Sequence, residues 1–265
     1  MIFFLHIPKT AGTSFYELVK NNHHVFLKPK LEDLSSFERL ATEVSNCAIR
    51  LPGGYESAPT LLNTIETLSQ AQLEKIDFIG GHVGYGFHEK IKGRMQYISF
   101  LRDPKERLVS DFKEHCKEGR HFYAELKSKG FQFNHYLELL KQHRLDNLLT
   151  RQLLGPTDFF LKDREQLTSE NFAQALDHSK NVVFFKMEHF DRSLAYLARN
   201  HAWYKMTYQK KNVSINSQEN LVYDPSLLAE IIAFDIKLYN TITPEIPEHL
   251  SISEKIKFKL KDASH

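Results

Sequence analysis

Lys9 is the side chain best placed to do chemistry in this sequence. It lies in Phe3-Phe4-Leu5-His6-Ile7-Pro8-Lys9-Thr10-Ala11-Gly12-Thr13-Ser14-Phe15, where an apolar run meets a turn of small residues and then a helix-like pattern. That order builds an anion cradle. The loop N–H groups and the helix N-terminus converge on one spot, and the lysine adds a full positive charge there. A phosphate or sulfate fits such a spot. A nucleoside triphosphate loop reads G-x-x-x-x-G-K-S/T, with lysine after the second glycine and a magnesium-binding hydroxyl beside it. Here Lys9 precedes the loop's only glycine, Gly12, and no Lys-Ser or Lys-Thr follows that glycine.

A second cationic segment is Tyr97-Ile98-Ser99-Phe100-Leu101-Arg102-Asp103-Pro104-Lys105-Glu106-Arg107-Leu108-Val109-Ser110-Asp111-Phe112. It also reads strand, then helix. Asp103 suits an N-cap and Pro104 the first helical turn. Arg102 then stands at the carboxyl end of a strand, where open α/β sheets bind ligands, and its planar fork suits a phosphate. Ser110, about two turns along, can donate a hydroxyl to the same anion. A third segment, Asp77-Phe78-Ile79-Gly80-Gly81-His82-Val83-Gly84-Tyr85-Gly86-Phe87, sets one histidine among four glycines after a short apolar run. Its unperturbed pKa of about 6.5 suits removal of a proton from an alcohol. The glycines are expected to let an acceptor come close. His6 is the runner-up for that base and is expected instead to brace the loop.

The elements that must position these groups follow from periodicity. Residues 31–46 and 60–76 have helical spacing and form the expected crossover between the first strand and the Phe78 strand. Arg50-Leu51-Pro52-Gly53-Gly54 reads as a turn. Residues 104–118 and 134–150 read as helices, Val182-Val183-Phe184-Phe185 as a buried strand, and Glu188 to Arg199 as the next helix. Residues 224–241 read as one more, opened by Asp224-Pro225. Lys255 to Leu260 alternates like a strand in a lysine-rich tail.

With these motifs in hand, the chain resembles the sulfotransferases that use 3′-phosphoadenosine 5′-phosphosulfate (PAPS), and within them the carbohydrate branch that includes heparan sulfate 2-O-sulfotransferase. That branch carries P-K-T/S-A/G-G/S-T-S/T after its first strand, matched by Pro8 to Ser14, and R-D-P-x-x-R-x-x-S, matched by Arg102, Asp103, Pro104, Arg107 and Ser110. The resemblance implies an α/β fold with a central parallel sheet flanked by helices, like a P-loop NTPase. It implies that Lys9, Thr10, Ala11, Gly12, Thr13 and Ser14 hold the 5′-phosphosulfate, and that Arg102 and Ser110 bind the 3′-phosphate. His82 matches the G-H-V/I strand end whose histidine is the general base, and Lys9 serves the leaving oxygen. Lys211-Asn212-Val213-Ser214 resembles a loop that closes over the nucleotide, which implies Lys211 and Ser214 as further PAPS contacts. Asn147 to Gly155 resembles a segment near the acceptor cleft, where Arg151 either contacts an acidic acceptor or is ion-paired. Phe185 to Leu194 resembles the family's strand–helix junction, and Glu188 within it reads as a helix-start acid stabilised by the dipole.

Composition agrees with an enzyme of this kind. The chain has 265 residues, 42% of them apolar, which is enough for a sizeable core. It is read as one sulfotransferase domain over 1–265, with 242–265 a C-terminal extension. Thirty-five basic against thirty-three acidic residues give a formal charge of +2, which disfavours a general nucleic-acid binder. His88, Lys90, Lys92 and Arg94 follow the His82 strand and either face an anionic sugar or lie in a solvated loop. Two isolated cysteines, Cys47 and Cys116, give neither a disulfide framework nor zinc spacing, and the scheme needs no metal. A strand beginning at Ile2 and the absence of an apolar run of about 18 residues lead to the expectation of a cytoplasmic, soluble bacterial relative without a membrane anchor. The expected acceptor is a carbohydrate or glycolipid. The alternatives are a P-loop nucleotide-dependent phosphotransferase and a non-catalytic nucleotide- or glycan-binding module.

Overall fold

The computed structural model of the protein describes residues 1–28, 46–51, 66, 68–89, 91, 95–155, 166–205 and 221–245. Lys90, Lys92, Arg94, Lys211, Ser214, the tail strand expected over 255–260 and nearly all of 31–46 lie outside these residues. The strands are β1 (Ile2–Leu5), β2 (Val25–Leu27), β3 (Cys47–Arg50), β4 (Ile76–Gly81), β5 (Gln96–Leu101) and β6 (Val182–Lys186). They form one sheet in the order β2-β3-β4-β1-β5-β6, with every adjacent pair parallel.

β1 sits in the middle because all four of its residues are apolar and buried. A strand covered on both faces reads as a continuous apolar run. On one face Ile2 and Phe4 pack with Phe15, Tyr16, Leu18 and Val19 of α1 (Gly12–Asn22) and with Leu194 and Leu197 of α8 (Phe190–Asn200). On the other, Phe3 and Leu5 join Ile49, Ile79, Tyr97 and Leu101 beneath α6 (Leu148–Leu154) and α7 (Ser169–Ser179), which add Leu149, Leu153 and Ala175. The chain leaves β1 for the β2 edge and returns through β3, α2 (Gln70–Leu73) and β4. It then crosses to the other side of β1 at β5. The carboxyl ends of β1 and β5 therefore flank the switch in strand order where such sheets bind ligands.

After β5 comes a layer of helices: α3 (Pro104–His115), α4 (Tyr123–Ser128) and α5 (Phe133–Gln142), joined later by α9 (Pro225–Ile231). Leu108, Phe112, Leu126, Phe133, Leu137, Leu228 and Ile231 form its core. Asp103 caps α3 as expected, accepting from the Glu106 N–H at 2.9 Å. The single helices expected over 134–150 and 224–241 are each broken in two. Asn147 takes a left-handed φ of 49° between α5 and α6. Its own N–H donates to the Ile231 carbonyl at 2.7 Å, so that carbonyl is taken where the second helix would continue. Asn147 Oδ1 also accepts from the Phe234 N–H at 2.8 Å, capping α10 (Ala233–Thr241). Asp235, 1% exposed, returns the contact by accepting from the N–H groups of Leu149 and Thr150 at the start of α6.

Of the helix expected over 60–76, the described residues show Glu66 and the short α2 as helical, and strand β4 already begins at Ile76. Arg50 ends β3, and residues 52–54 of the turn expected there lie outside the described residues.

Candidate active site

β1 delivers the chain to the carboxyl rim at Leu5, and residues 6–11 turn it into α1. Thr10 Oγ1 donates to the Ile7 carbonyl at 2.8 Å and ties the turn. Lys9 (φ 69°) and Ala11 (φ 56°) are both left-handed, at about 1–2 kcal/mol for each non-glycine residue. Left-handed residues flanking Thr10 turn successive N–H groups to one side, which is how backbone makes an anion nest. Ala11 supplies no side-chain cap to α1, and no acidic residue stands in its first turn. A helix start without a capping side chain is complemented by a bound anion. The side chains of Thr10 and Ser14 are buried, so the nest is made by main chain rather than by hydroxyls.

The histidines are locked together beneath this loop. A Cβ on Gly12 would lie 2.0 Å from His6 Nε2, so only glycine lets the helix start rest on that ring. His6 stacks on His82 with centroids 4.1 Å apart and meets Phe4 and Tyr16 at 5.1 and 5.4 Å. Burial holds the His6 imidazole well below its ordinary pKa, and the neighbouring His82 adds to the shift. His82 Nδ1 lies 2.9 Å from the His6 carbonyl. A carbonyl only accepts, so Nδ1 carries the proton and the lone pair of the neutral ring is on Nε2. Burial lowers the His82 pKa, the His6 carbonyl opposes that shift, and Arg50 and Lys9 reinforce it. The ring is therefore a neutral base near pH 7. The expected role of Gly80 and Gly81 is corrected: added Cβ atoms would meet Tyr16 Oη at 2.9 Å and Leu51 Cβ at 2.8 Å, so both serve internal packing rather than acceptor approach.

Arg102 stands on the same rim, one strand over. Its Nη1 lies 3.5 Å from the Lys9 carbonyl, and Nε contacts the exposed Glu106 carboxylate at 3.3 Å. Ser110 lies two turns along α3. Arg107, the second arginine of that motif, is 4% exposed and faces Asp111 at 3.8 Å rather than the rim. Lys9 Nζ reaches Glu114 Oε2 on the last turn of α3 at 3.2 Å, so α3 passes over the loop. Lys9, His82 and Arg102, expected from sequence, thus converge on one rim, and Ser110 lies on α3 one turn before the Glu114 that meets Lys9. Arg151 does not join them. It is 1% exposed, with Nε donating to the Asp146 carbonyl and Nη2 paired to the Asp146 carboxylate at 2.7 Å, so it is ion-paired rather than offered to an acceptor. His88 turns to the Tyr97 hydroxyl at 3.1 Å, and Glu188 accepts from the Tyr239 hydroxyl at 3.4 Å.

Three residues of the site went unread in the sequence. Gln152, fully buried on α6, donates to the carbonyls of His6 (3.1 Å) and Val83 (2.9 Å), gripping both strand ends that carry the histidines. Arg50, at the end of β3, lies over the Tyr16 ring at 4.5 Å, with no carboxylate in ion-pair reach among the described residues. Glu114 is the third. A charged residue at the end of a short apolar run is the local signal for Arg50; Gln152 and Glu114 have none.

Among the described residues no helix is long and apolar enough to cross a membrane, and no three His, Cys, Asp or Glu side chains gather as metal ligands do. No curated protein matches the chain. A model of the sulfotransferase family does, over residues 1–226, a span that contains the Lys9 loop, His82, Arg102 and Ser110. The chain belongs to the sulfotransferase family.

Proposed function

We propose that the protein moves the sulfuryl group of PAPS to a hydroxyl of a carbohydrate or glycolipid acceptor. The observation that carries this reading is the approach of Arg102 to the Lys9 turn at the ends of adjacent parallel strands, with Nη1 3.5 Å from the Lys9 carbonyl. In this reading the turn and Arg102 are two anion sites, and one bisphosphorylated nucleotide engages both. The N–H groups of residues Thr10 to Ser14 and Lys9 take the 5′-phosphosulfate, while Arg102 and Ser110 take the 3′-phosphate. In the reaction, the acceptor oxygen forms a bond to sulfur as the bond from sulfur to the 5′-phosphate oxygen breaks. His82 Nε2 receives the hydroxyl proton, and Lys9 with the loop N–H groups meets the charge left on the phosphate.

The order of strands supplies a direction. Donor contacts lie at the ends of β1 and β5, and His82 ends β4, so the acceptor approaches over β4 and β3. Among the described residues Arg50 is a cation on that side, and it takes over the role first expected of Arg151. Lys211 and Ser214 remain proposed nucleotide contacts. Cys47 and Cys116 are both free thiols, which suits a reducing cytoplasm. The scheme asks for no metal.

The test is transfer of radioactive sulfur from PAPS to a panel of acidic and neutral polysaccharides and glycolipids, with a chelator present. His82→Ala should keep nucleotide binding and lose about 100-fold or more in transfer, the scale of general-base removal. Undiminished transfer by that variant rejects His82 as base, and no transfer by the unaltered protein to any acceptor rejects the reading.

A further inference from the structure

Glu114 sits on α3 one turn beyond Ser110, on the same helix face. Its Oε2 accepts from Lys9 at 3.2 Å and from Lys117 at 2.7 Å, and Oε1 is paired with Arg120. The contact between Lys9 and Glu114 joins residues 105 apart in the chain. It exists because α3 crosses the anion loop. We propose that Glu114 is a placeholder for the donor: its carboxylate holds the Lys9 ammonium until the phosphosulfate arrives and displaces it. This rests on the reading of the loop as the PAPS site.

Three observations favour an exchangeable pair over a permanent one. Lys9 is the longer of the two Oε2 contacts, so it is the looser partner. The pair is reachable by an incoming anion, with each side chain 21% exposed. Departure of Lys9 strands no charge, because Lys117 and Arg120 stay on the carboxylate. A pair that leaves one member buried and alone would resist exchange. The Lys117 contact, reinforced by Lys9 and Arg120, also holds the Glu114 carboxyl down at about 2, so it is ionised at any working pH. The placeholder keeps the lysine pointed across the loop mouth and sets a competition that the donor must win.

A double-mutant cycle on binding of 3′-phosphoadenosine 5′-phosphate, by titration calorimetry, tests this. Glu114→Gln keeps shape and removes charge, and Lys9→Met keeps length and removes the ammonium. Glu114→Gln should bind the nucleotide about 5-fold tighter when Lys9 is present and less than about 2-fold tighter in the Lys9→Met background. Equal gains in both backgrounds mean simple repulsion of the nucleotide by Glu114 and overturn the placeholder alone. Weaker binding by Glu114→Gln, with an unchanged melting temperature, overturns it as well. Absence of binding by the unaltered protein overturns the donor reading itself.

Discussion

Replacing Gly12 with alanine probes how tightly the helix start, His6 and His82 are coupled. The added Cβ would fall 2.0, 2.2 and 2.7 Å from three atoms of the His6 ring. Restoring ordinary contact means withdrawing that ring by more than an ångström. Behind it stand Phe4, Tyr16 and His82, the last with its centroid only 4.1 Å away. Overpacking of this kind costs about 1–3 kcal/mol, and the better helix propensity of alanine offsets up to about 1 kcal/mol of it. The net loss should be about 1–2 kcal/mol, or roughly 2–8 °C in melting temperature for a protein of this size. The larger effect falls on chemistry. The His6 backbone holds His82 through its carbonyl, and a misplacement near 1 Å costs about 100-fold in rate. Thermal denaturation and labelled-sulfate transfer measure the two. His6→Ala in the same chain opens space for the new methyl, so the double variant should be more stable than the two single losses predict. A Gly12→Ala protein with unchanged melting and transfer refutes the packing argument.

Titration of the histidines and the cap on α6 give two more tests. In the proposed mechanism transfer needs neutral His82, whose pKa lies below the ordinary 6.5 because of burial, so the rate should hold down to about pH 6.5 and fall only below it; an acid limb centred above pH 7 contradicts the assignment. Folded His6 and His82 both resist protonation, so the unfolded chain binds more protons, and the stability they contribute is full above about pH 6.5 and lost as pH falls through that value. Melting curves at pH 7.5 and 5.5 check this, and equal or higher stability at the lower pH sinks it. Asp235→Ala removes the carboxylate that caps α6 and should cost about 2–3 kcal/mol in urea denaturation; a loss under about 1 kcal/mol would mean that the cap is replaceable.

What could be read in the sequence was local. The Lys9 turn, the Asp103-Pro104 helix start and the apolar runs of β1, β4 and β5 each express their structure within a dozen residues, so backbone propensity and spacing were enough. The site contacts that escaped are long-range. Glu114 meets Lys9 across 105 positions and Gln152 meets the His6 carbonyl across 146. No periodicity carries that information. The breaks in the expected helices have the same origin, since Asn147 and Asp235 cap each other's helices from opposite ends of the described chain's second half. β2 and β3, of three and four residues, are too short to show alternation and exist because neighbouring strands pair with them. Arg151 was ambiguous for a simple reason: its partner Asp146 stands five residues away, but only folding shows which arginine keeps its carboxylate.

The central claim is that two anion sites on one rim grip both ends of a single nucleotide. Calorimetric comparison of 3′-phosphoadenosine 5′-phosphate with adenosine 5′-phosphate, on the unaltered protein and on Arg102→Ala, tests it most directly. The account predicts that losing the 3′-phosphate weakens binding to the unaltered protein by about 1.5–3 kcal/mol, and that Arg102→Ala binds the two nucleotides nearly alike. Equal affinity of the unaltered protein for both, or full discrimination surviving in Arg102→Ala, would contradict it.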